Sequence, residues 1–162
     1  MASDEALAVY LNDHLAGAAA GIELAEKLRD NNQGTELGRV MVGLHHDITQ
    51  DRGALEELMR HLDLERHPVK EAAGWMLERL SRLRLNPALT GSAELTRLLE
   101  TEALSLGIEG KLSLWRSLKQ AAASDPRLAA AADYDRLIER ARGQRRTLEP
   151  HRLAAAVASF TG

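Results

Sequence analysis

The sequence predicts an all-α fold in a single domain covering residues 1–162. Three observations lead to this class. Hydrophobic residues make up 44% of the chain, which is enough to form a buried core. Aromatic residues make up only 3%, and no stretch has the alternating Val, Ile and Thr pattern of a β-strand. Leucine and alanine instead recur at helical spacing between short turn signals, so we expect several long helices.

The first half of the chain carries clear signals for helix starts and stops. Ser3 is a candidate N-cap for the first helix, which ends at a turn over residues 31–34 (NNQG). Thr35 caps the second helix, a long amphipathic segment with leucines on one stripe. Pro68, a residue favoured in a first helical turn, opens the third. These three predicted helices cover about residues 4–30, 35–63 and 69–85.

The second half carries two more helices. The fourth begins after Ser92 and contains Gly107 and Gly110, which predict a local kink because each glycine weakens a helix by about 1 kcal/mol. It ends before Pro126, and the last helix contains Pro150, where we expect a second kink. These two predicted helices cover about residues 92–123 and 133–159.

The lengths of the connections predict how the helices are ordered in space. The first two helices share a short turn, as do the fourth and the last, whereas residues 64–91 separate the two hairpins and carry the third helix. A crossover of this length can return the chain along the bundle and make the second and fourth helices parallel. The sequence therefore predicts a four-helix bundle of two long hairpins joined by a crossover that contains an extra helix.

Two long hairpins around a crossover resemble the ferritin-like superfamily, and the resemblance covers nearly the whole chain. The strings YLNDHLAG (residues 10–17) and GIEGKLSLW (residues 107–115) also resemble an uncharacterised bacterial family of similar length. The first resemblance implies a ferritin-like bundle. The second resemblance is to a family without a known activity, so it implies nothing about what this protein does.

Polar residues on the apolar faces are the candidate functional groups of the first hairpin. His14 lies within the apolar stripe of the first helix. On the second helix Leu37, Leu44 and Leu58 repeat every seven residues, and Asp51 takes the position of the missing leucine. His14 and Asp51 are equally far from the centre of the turn that joins their helices, so we expect them to be in contact.

The second hairpin shows a similar pattern. Glu102 and Glu109 fall on the leucine stripe of the fourth helix, and Arg145 and Arg152 fall between the apolar residues of the last helix. Glu149 lies at the margin of that face. Counted from the turn between these helices, the natural pairs are Glu102 with Arg152 and Glu109 with Arg145.

These residues depart from the metal ligands of ferritin-like di-iron proteins, which use a Glu from each of two helices and Glu-x-x-His from each of the other two. No Glu-x-x-His occurs in this chain, and the segment 149–152 (EPHR) has arginine at the histidine position. Arginine cannot ligate a metal. The sequence therefore predicts a non-catalytic protein without a cofactor, whose buried polar network replaces the di-metal centre: His14, Asp51, Glu102, Glu109, Arg145, Glu149 and Arg152.

Two alternatives stay open at this point. One is an iron- or manganese-binding protein with oxidase or storage activity, with His14, Asp51, Glu102, Glu109 and Glu149 as ligands. The other is a small-molecule pocket in which the arginines hold a carboxylate or phosphate. The direction of the arginines separates the first alternative from the buried network. Carboxylates that lack a neighbouring arginine repel one another and need a metal cation.

Charge and composition narrow the expected partners and location. The net charge of -3, from 21 Lys and Arg against 24 Asp and Glu, gives no general attraction for nucleic acid or an anionic membrane. The absence of cysteine excludes thiolate chemistry. The acidic start of the chain and the lack of a run of about 18 apolar residues predict a cytoplasmic protein. Alanine runs that permit close helix approach predict a homo-oligomer.

Overall fold

The computed structural model describes residues 2–67 and 92–161. Within these ranges every element of regular secondary structure is a helix, which confirms the all-α prediction. The predicted third helix, residues 69–85, lies outside the described residues. The helices are α1 (Ala2–Asn31), α2 (Glu36–His61), α3 (Ala93–Ala122), α4 (Pro126–Ala131) and α5 (Tyr134–Thr161).

Side-chain caps fix the starts of the helices. The Thr35 hydroxyl accepts a hydrogen bond from the Gly38 amide at 3.1 Å, and the Ser92 hydroxyl accepts one from Leu95 at 3.2 Å. The helices α3 and α5 run through Gly107, Gly110 and Pro150 without interruption.

The short helix α4 is not apparent from periodicity, because six residues are too few to show a helical repeat. Its start has the expected chemistry, since the Asp125 side chain accepts from the Arg127 amide at 2.9 Å and Pro126 occupies the first turn. The Tyr134 hydroxyl donates to the Leu128 carbonyl at 2.9 Å and ties α4 to the start of α5.

Ion pairs between the hairpins show the relative directions of the helices. Helix α1 packs along α2, and α3 along α5, while α1 also contacts α3 and α2 contacts α5. Lys27, near the end of α1, pairs with Glu100, near the start of α3. Arg127, just beyond α3, lies 3.0 Å from Asp4 at the start of α1. Helices α1 and α3 are therefore antiparallel, and α2 and α3 run in the same direction.

The buried apolar side chains lie between the four long helices. The heptad leucines predicted for α2 are buried, as expected. On α3 the buried stripe follows Leu104, Ile108, Leu112 and Trp115, whereas Leu106, which the sequence places on the core face, is 45% exposed. The core face of α3 is thus rotated away from the predicted one, because the apolar residues of its second half outweigh the leucines of its first turns.

Two buried glycines offer a matched test of the packing. An added Cβ at Gly21 in α1 meets no atom within 4 Å, whereas one at Gly38 in α2 collides with the Asn32 carbonyl. We expect Gly21→Ala to raise the free energy of unfolding by about 1 kcal/mol through helix propensity. We expect Gly38→Ala to lower it by about 1–3 kcal/mol through overpacking. Urea unfolding followed by far-UV circular dichroism measures both, and changes of the same sign would contradict the packing described.

Candidate functional site

Asp51 is the centre of the most highly buried polar cluster among the described residues, with 2% of its surface exposed. Its Oδ1 accepts from Arg140 Nε at 2.6 Å, and a second nitrogen of the same guanidinium lies 2.5 Å away. Its Oδ2 accepts from Lys111 Nζ at 2.5 Å and from Gln144 Nε2 at 2.7 Å. Lys111 Nζ also donates to Gln144 Oε1 at 2.5 Å. We call Asp51, Lys111, Arg140 and Gln144 the Asp51 centre.

Three helices supply the Asp51 centre. Asp51 comes from α2 and Lys111 from α3, while Arg140 and Gln144 lie one turn apart on the same face of α5. Four nitrogens surround the carboxylate and occupy the acceptor positions of its two oxygens. One carboxylate and two cations give the centre a net charge of +1.

Burial and charge act in opposite directions on Lys111. Desolvation lowers the pKa of its ammonium group below the ordinary value, and the neighbouring Asp51 carboxylate opposes this shift. The ion pair therefore keeps a cation in a site from which water is largely excluded. Removal of Asp51 would leave that cation without its main counter-charge.

Sequence reasoning identified Asp51 but missed its three partners. Lys111 interrupts the apolar stripe formed by Ile108 and Trp115, and Gln144 interrupts the one formed by Ala141 and Leu148. Each is the same kind of signal that singled out Asp51. The signal was obscured on α3 because the predicted core face was rotated.

His14 lies half-buried on α1 and shares a cavity with Asp51, but it is not among the hydrogen-bond partners of that carboxylate. The predicted pair of His14 with Asp51 is therefore corrected: nitrogens from α3 and α5 occupy the Asp51 oxygens. The ring of His14 instead makes an edge contact with Tyr10, with ring centroids 4.7 Å apart. Burial lowers the pKa of His14, against an opposing effect of Asp13.

The predicted pair of Glu109 with Arg145 is present at 2.5 Å, but it lies at the edge of the bundle. The two side chains are 41% and 47% exposed, so this pair does not belong to a buried network. The exposure follows from the rotated core face of α3, which brings Leu104 and Ile108 inward and leaves Glu109 at the margin.

Arg152 pairs with Glu149 on its own helix, through bonds of 2.8 Å and 2.7 Å. These bonds lower the pKa of Glu149 and raise that of Arg152, and the charge of Glu102 adds to the second shift. Glu102 is half-buried on α3. The predicted pair of Glu102 with Arg152 is thus replaced by the pair of Glu149 with Arg152, one turn apart on α5, and the charge of Glu102 acts on Arg152 without a hydrogen bond.

The carboxylates of Asp51, Glu109 and Glu149 have protein nitrogens as partners. Glu109 and Glu149 are each paired with an arginine, and the Asp51 oxygens are taken by three side chains. Within residues 2–67 and 92–161 no three His, Asp or Glu side chains are grouped so that they could hold a metal ion.

A cavity of about 470 Å³ lies beside the Asp51 centre, between α1, α2 and α3. Apolar side chains form most of its wall, and Asp51, Lys111 and Trp115 also line it. Gly21 on α1 leaves part of this space open. The indole nitrogen of Trp115 is buried and has no hydrogen-bond partner in the part of the chain that the structure describes.

No protein-family model, curated protein or solved structure matches this chain. Of the helices in the described ranges, none is long and apolar enough to cross a membrane.

The lowered pKa of His14 predicts how stability changes with pH. Below about pH 6.5 the unfolded chain protonates His14 more readily than the folded protein does, so stability falls as the pH drops from 7 to 5. We expect His14→Gln to reduce this dependence. Urea unfolding across this range measures it, with His46→Gln as the control for loss of an exposed imidazole. Parallel curves for the wild type and His14→Gln would contradict the prediction.

Proposed function

We propose that this protein is a non-catalytic helical bundle of ferritin-like type, in which the Asp51 centre takes the place of a di-metal centre and the protein acts by binding. The observation that carries the proposal is the arrangement around Asp51, whose carboxylate lies within 2.7 Å of nitrogens from Lys111, Arg140 and Gln144. In di-metal bundles the inward carboxylates are held by metal ions. Here an ammonium and a guanidinium neutralise the carboxylate and offer no open coordination position.

The order and direction of the helices support the ferritin-like part of this proposal. The pairs α1–α2 and α3–α5 form two hairpins, and α2 and α3 run in the same direction. Such a direction requires a crossover between the hairpins, which is a feature of ferritin-like bundles.

The test is a measurement of metal content followed by titration with metal. Protein purified without chelator is analysed by elemental mass spectrometry and then titrated anaerobically with Fe(II) and with Mn(II). We expect no stoichiometric metal in the purified protein and no saturable uptake, because Lys111 and Arg140 compete for the same carboxylate oxygens.

A matched pair of variants assigns any metal that is found. Asp51→Asn removes the charge of the buried carboxylate, and Glu57→Gln removes one from an exposed carboxylate on the same helix. Stoichiometric iron or manganese that is lost in Asp51→Asn and kept in Glu57→Gln would contradict the proposal and favour the metal-binding alternative.

Self-association is part of the proposal. Leu153, Val157 and Phe160 are exposed and follow one another at helical spacing near the end of α5. Exposed apolar faces of this kind mark interaction surfaces. Multi-angle light scattering tests it, and a mass equal to that of one chain at high concentration would contradict a homo-oligomer.

A further inference from the structure

The cavity beside the Asp51 centre has the dimensions and walls of a small-molecule site. Its volume of about 470 Å³ falls within the range found for ligand pockets. Ile48, Leu55 and Leu104 give it an apolar wall. Gly21 is buried, yet a Cβ placed there meets no atom within 4 Å, so the open space extends into the packed interior of the bundle.

Trp115 forms part of the cavity wall with its ring. The residue is 1% exposed, and its indole nitrogen is fully enclosed, with no acceptor within residues 2–67 and 92–161. A molecule in the cavity can therefore pack against the ring but does not reach the N–H.

Lys111 supplies a donor at the cavity. Its ammonium group has three N–H bonds, of which Asp51 and Gln144 accept two. The oxygens of Asp51 already have their partners, so the centre presents a donor to the cavity and no free acceptor. The carboxylate of Asp47 also acts on Lys111 and, with Asp51, balances the charges of Lys111 and Arg140. The charged N–H of Lys111 at the cavity wall is therefore what favours an anionic head group over a neutral one.

The other polar residues of the lining fit an anionic ligand. Arg52 is paired with Glu56 at 3.1 Å, so this pair adds no net charge. Asp13 is exposed, so solvent weakens its charge, which acts mainly on the neighbouring His14. Burial of His14 favours its neutral imidazole, which can donate or accept a hydrogen bond.

We propose that this cavity binds a small organic acid with an apolar body, its carboxylate accepting from Lys111 and its body packing against Ile48, Leu55 and Leu104. The inference rests on the proposed function, because Lys111 is available as a fixed cation only if Asp51 does not ligate a metal.

Isothermal titration calorimetry at neutral pH tests the class of ligand. Hexanoate, octanoate and decanoate are titrated into the full-length protein, with octan-1-ol as a probe that keeps the apolar body and lacks the carboxylate. We expect saturable one-to-one binding of at least one acid, about ten-fold tighter than that of the alcohol, the difference produced by one charge-assisted hydrogen bond. Absence of saturable acid binding, or equal affinity for the alcohol, would overturn the inference.

Variants then locate the site. Gly21→Leu fills the open space and should abolish acid binding, and Gly21→Ala, a milder filling of the same space, should weaken it. Gly53→Leu is the matched control, since Gly53 is an exposed helical glycine outside this cavity whose added Cβ also meets no atom within 4 Å. Equal affinities of Gly21→Leu and Gly53→Leu would place the ligand elsewhere and overturn the inference.

Two further variants test the head-group contacts. Lys111→Met should remove the preference for the acid over the alcohol. Trp115→Phe keeps an aromatic wall and removes only an enclosed N–H, so it should leave that preference unchanged. Retention of the full preference in Lys111→Met, or its loss in Trp115→Phe, would overturn the assignment of Lys111 as the donor. Failure of the inference remains distinct from failure of the proposed function, because the latter is decided by the metal titration of the same protein without any acid.

Discussion

Replacement of Asp51 by alanine is expected to lower the free energy of unfolding by about 3–5 kcal/mol, as is usual when one partner of a buried ion pair is removed. The loss is large because the variant leaves Lys111 and Arg140 without their shared counter-charge. Their side chains are only 14% and 21% exposed, so water replaces the carboxylate poorly. Urea unfolding followed by circular dichroism measures the change.

The neighbouring carboxylates provide the controls for this prediction. Glu57 forms an exposed pair with Arg60, and Glu57→Ala should change stability by less than about 1 kcal/mol. Glu102→Ala, at the half-buried margin of α3, should cost clearly less than Asp51→Ala. A loss below about 0.5 kcal/mol for Asp51→Ala would show that its carboxylate is not enclosed by the two cations.

The helices were predictable because their boundaries depend on local chemistry. Thr35 and Ser92 cap two of the long helices. The predicted bounds of these helices, 35–63 and 92–123, differ by one or two residues from the observed ones, Glu36–His61 and Ala93–Ala122. A cap acts through a hydrogen bond within three residues, so the sequence contains all the information that it needs. Helix α4 has a cap and a proline but no periodicity, and it was therefore missed.

The composition of the site was less predictable because it depends on the rotation of one helix against another. Asp51 stood out since it interrupts a leucine repeat on its own helix. Whether its carboxylate bonds to Lys111 and Arg140 or to His14 depends on how α3 and α5 are rotated about their own axes relative to α2. Neighbouring residues on a helix differ in direction by about 100°. Glu109 and Lys111 are two residues apart on α3 and differ in direction by about 200°, so a core face that points Glu109 inward points Lys111 outward.

A second large effect is expected at Trp115, the largest of the fully buried side chains in the described residues. Trp115→Ala removes the whole ring next to an existing cavity, so the bundle gains a larger void, and we expect a loss of about 3–5 kcal/mol. Trp115→Phe keeps most of the apolar volume and removes an N–H without a partner. We expect it to cost less than about 1.5 kcal/mol, because relief of the buried donor offsets part of the lost packing.

Tyr134→Phe is the informative comparison for the loss of a donor. The Tyr134 hydroxyl donates to the Leu128 carbonyl at 2.9 Å, so its removal breaks a hydrogen bond that exists and leaves a buried carbonyl with one fewer partner. Tyr134→Phe should therefore cost about 1 kcal/mol through the lost hydrogen bond alone, whereas Trp115→Phe has no such bond to lose. If Trp115→Phe were as destabilising as Trp115→Ala, the indole N–H would have to form a hydrogen bond in the folded protein.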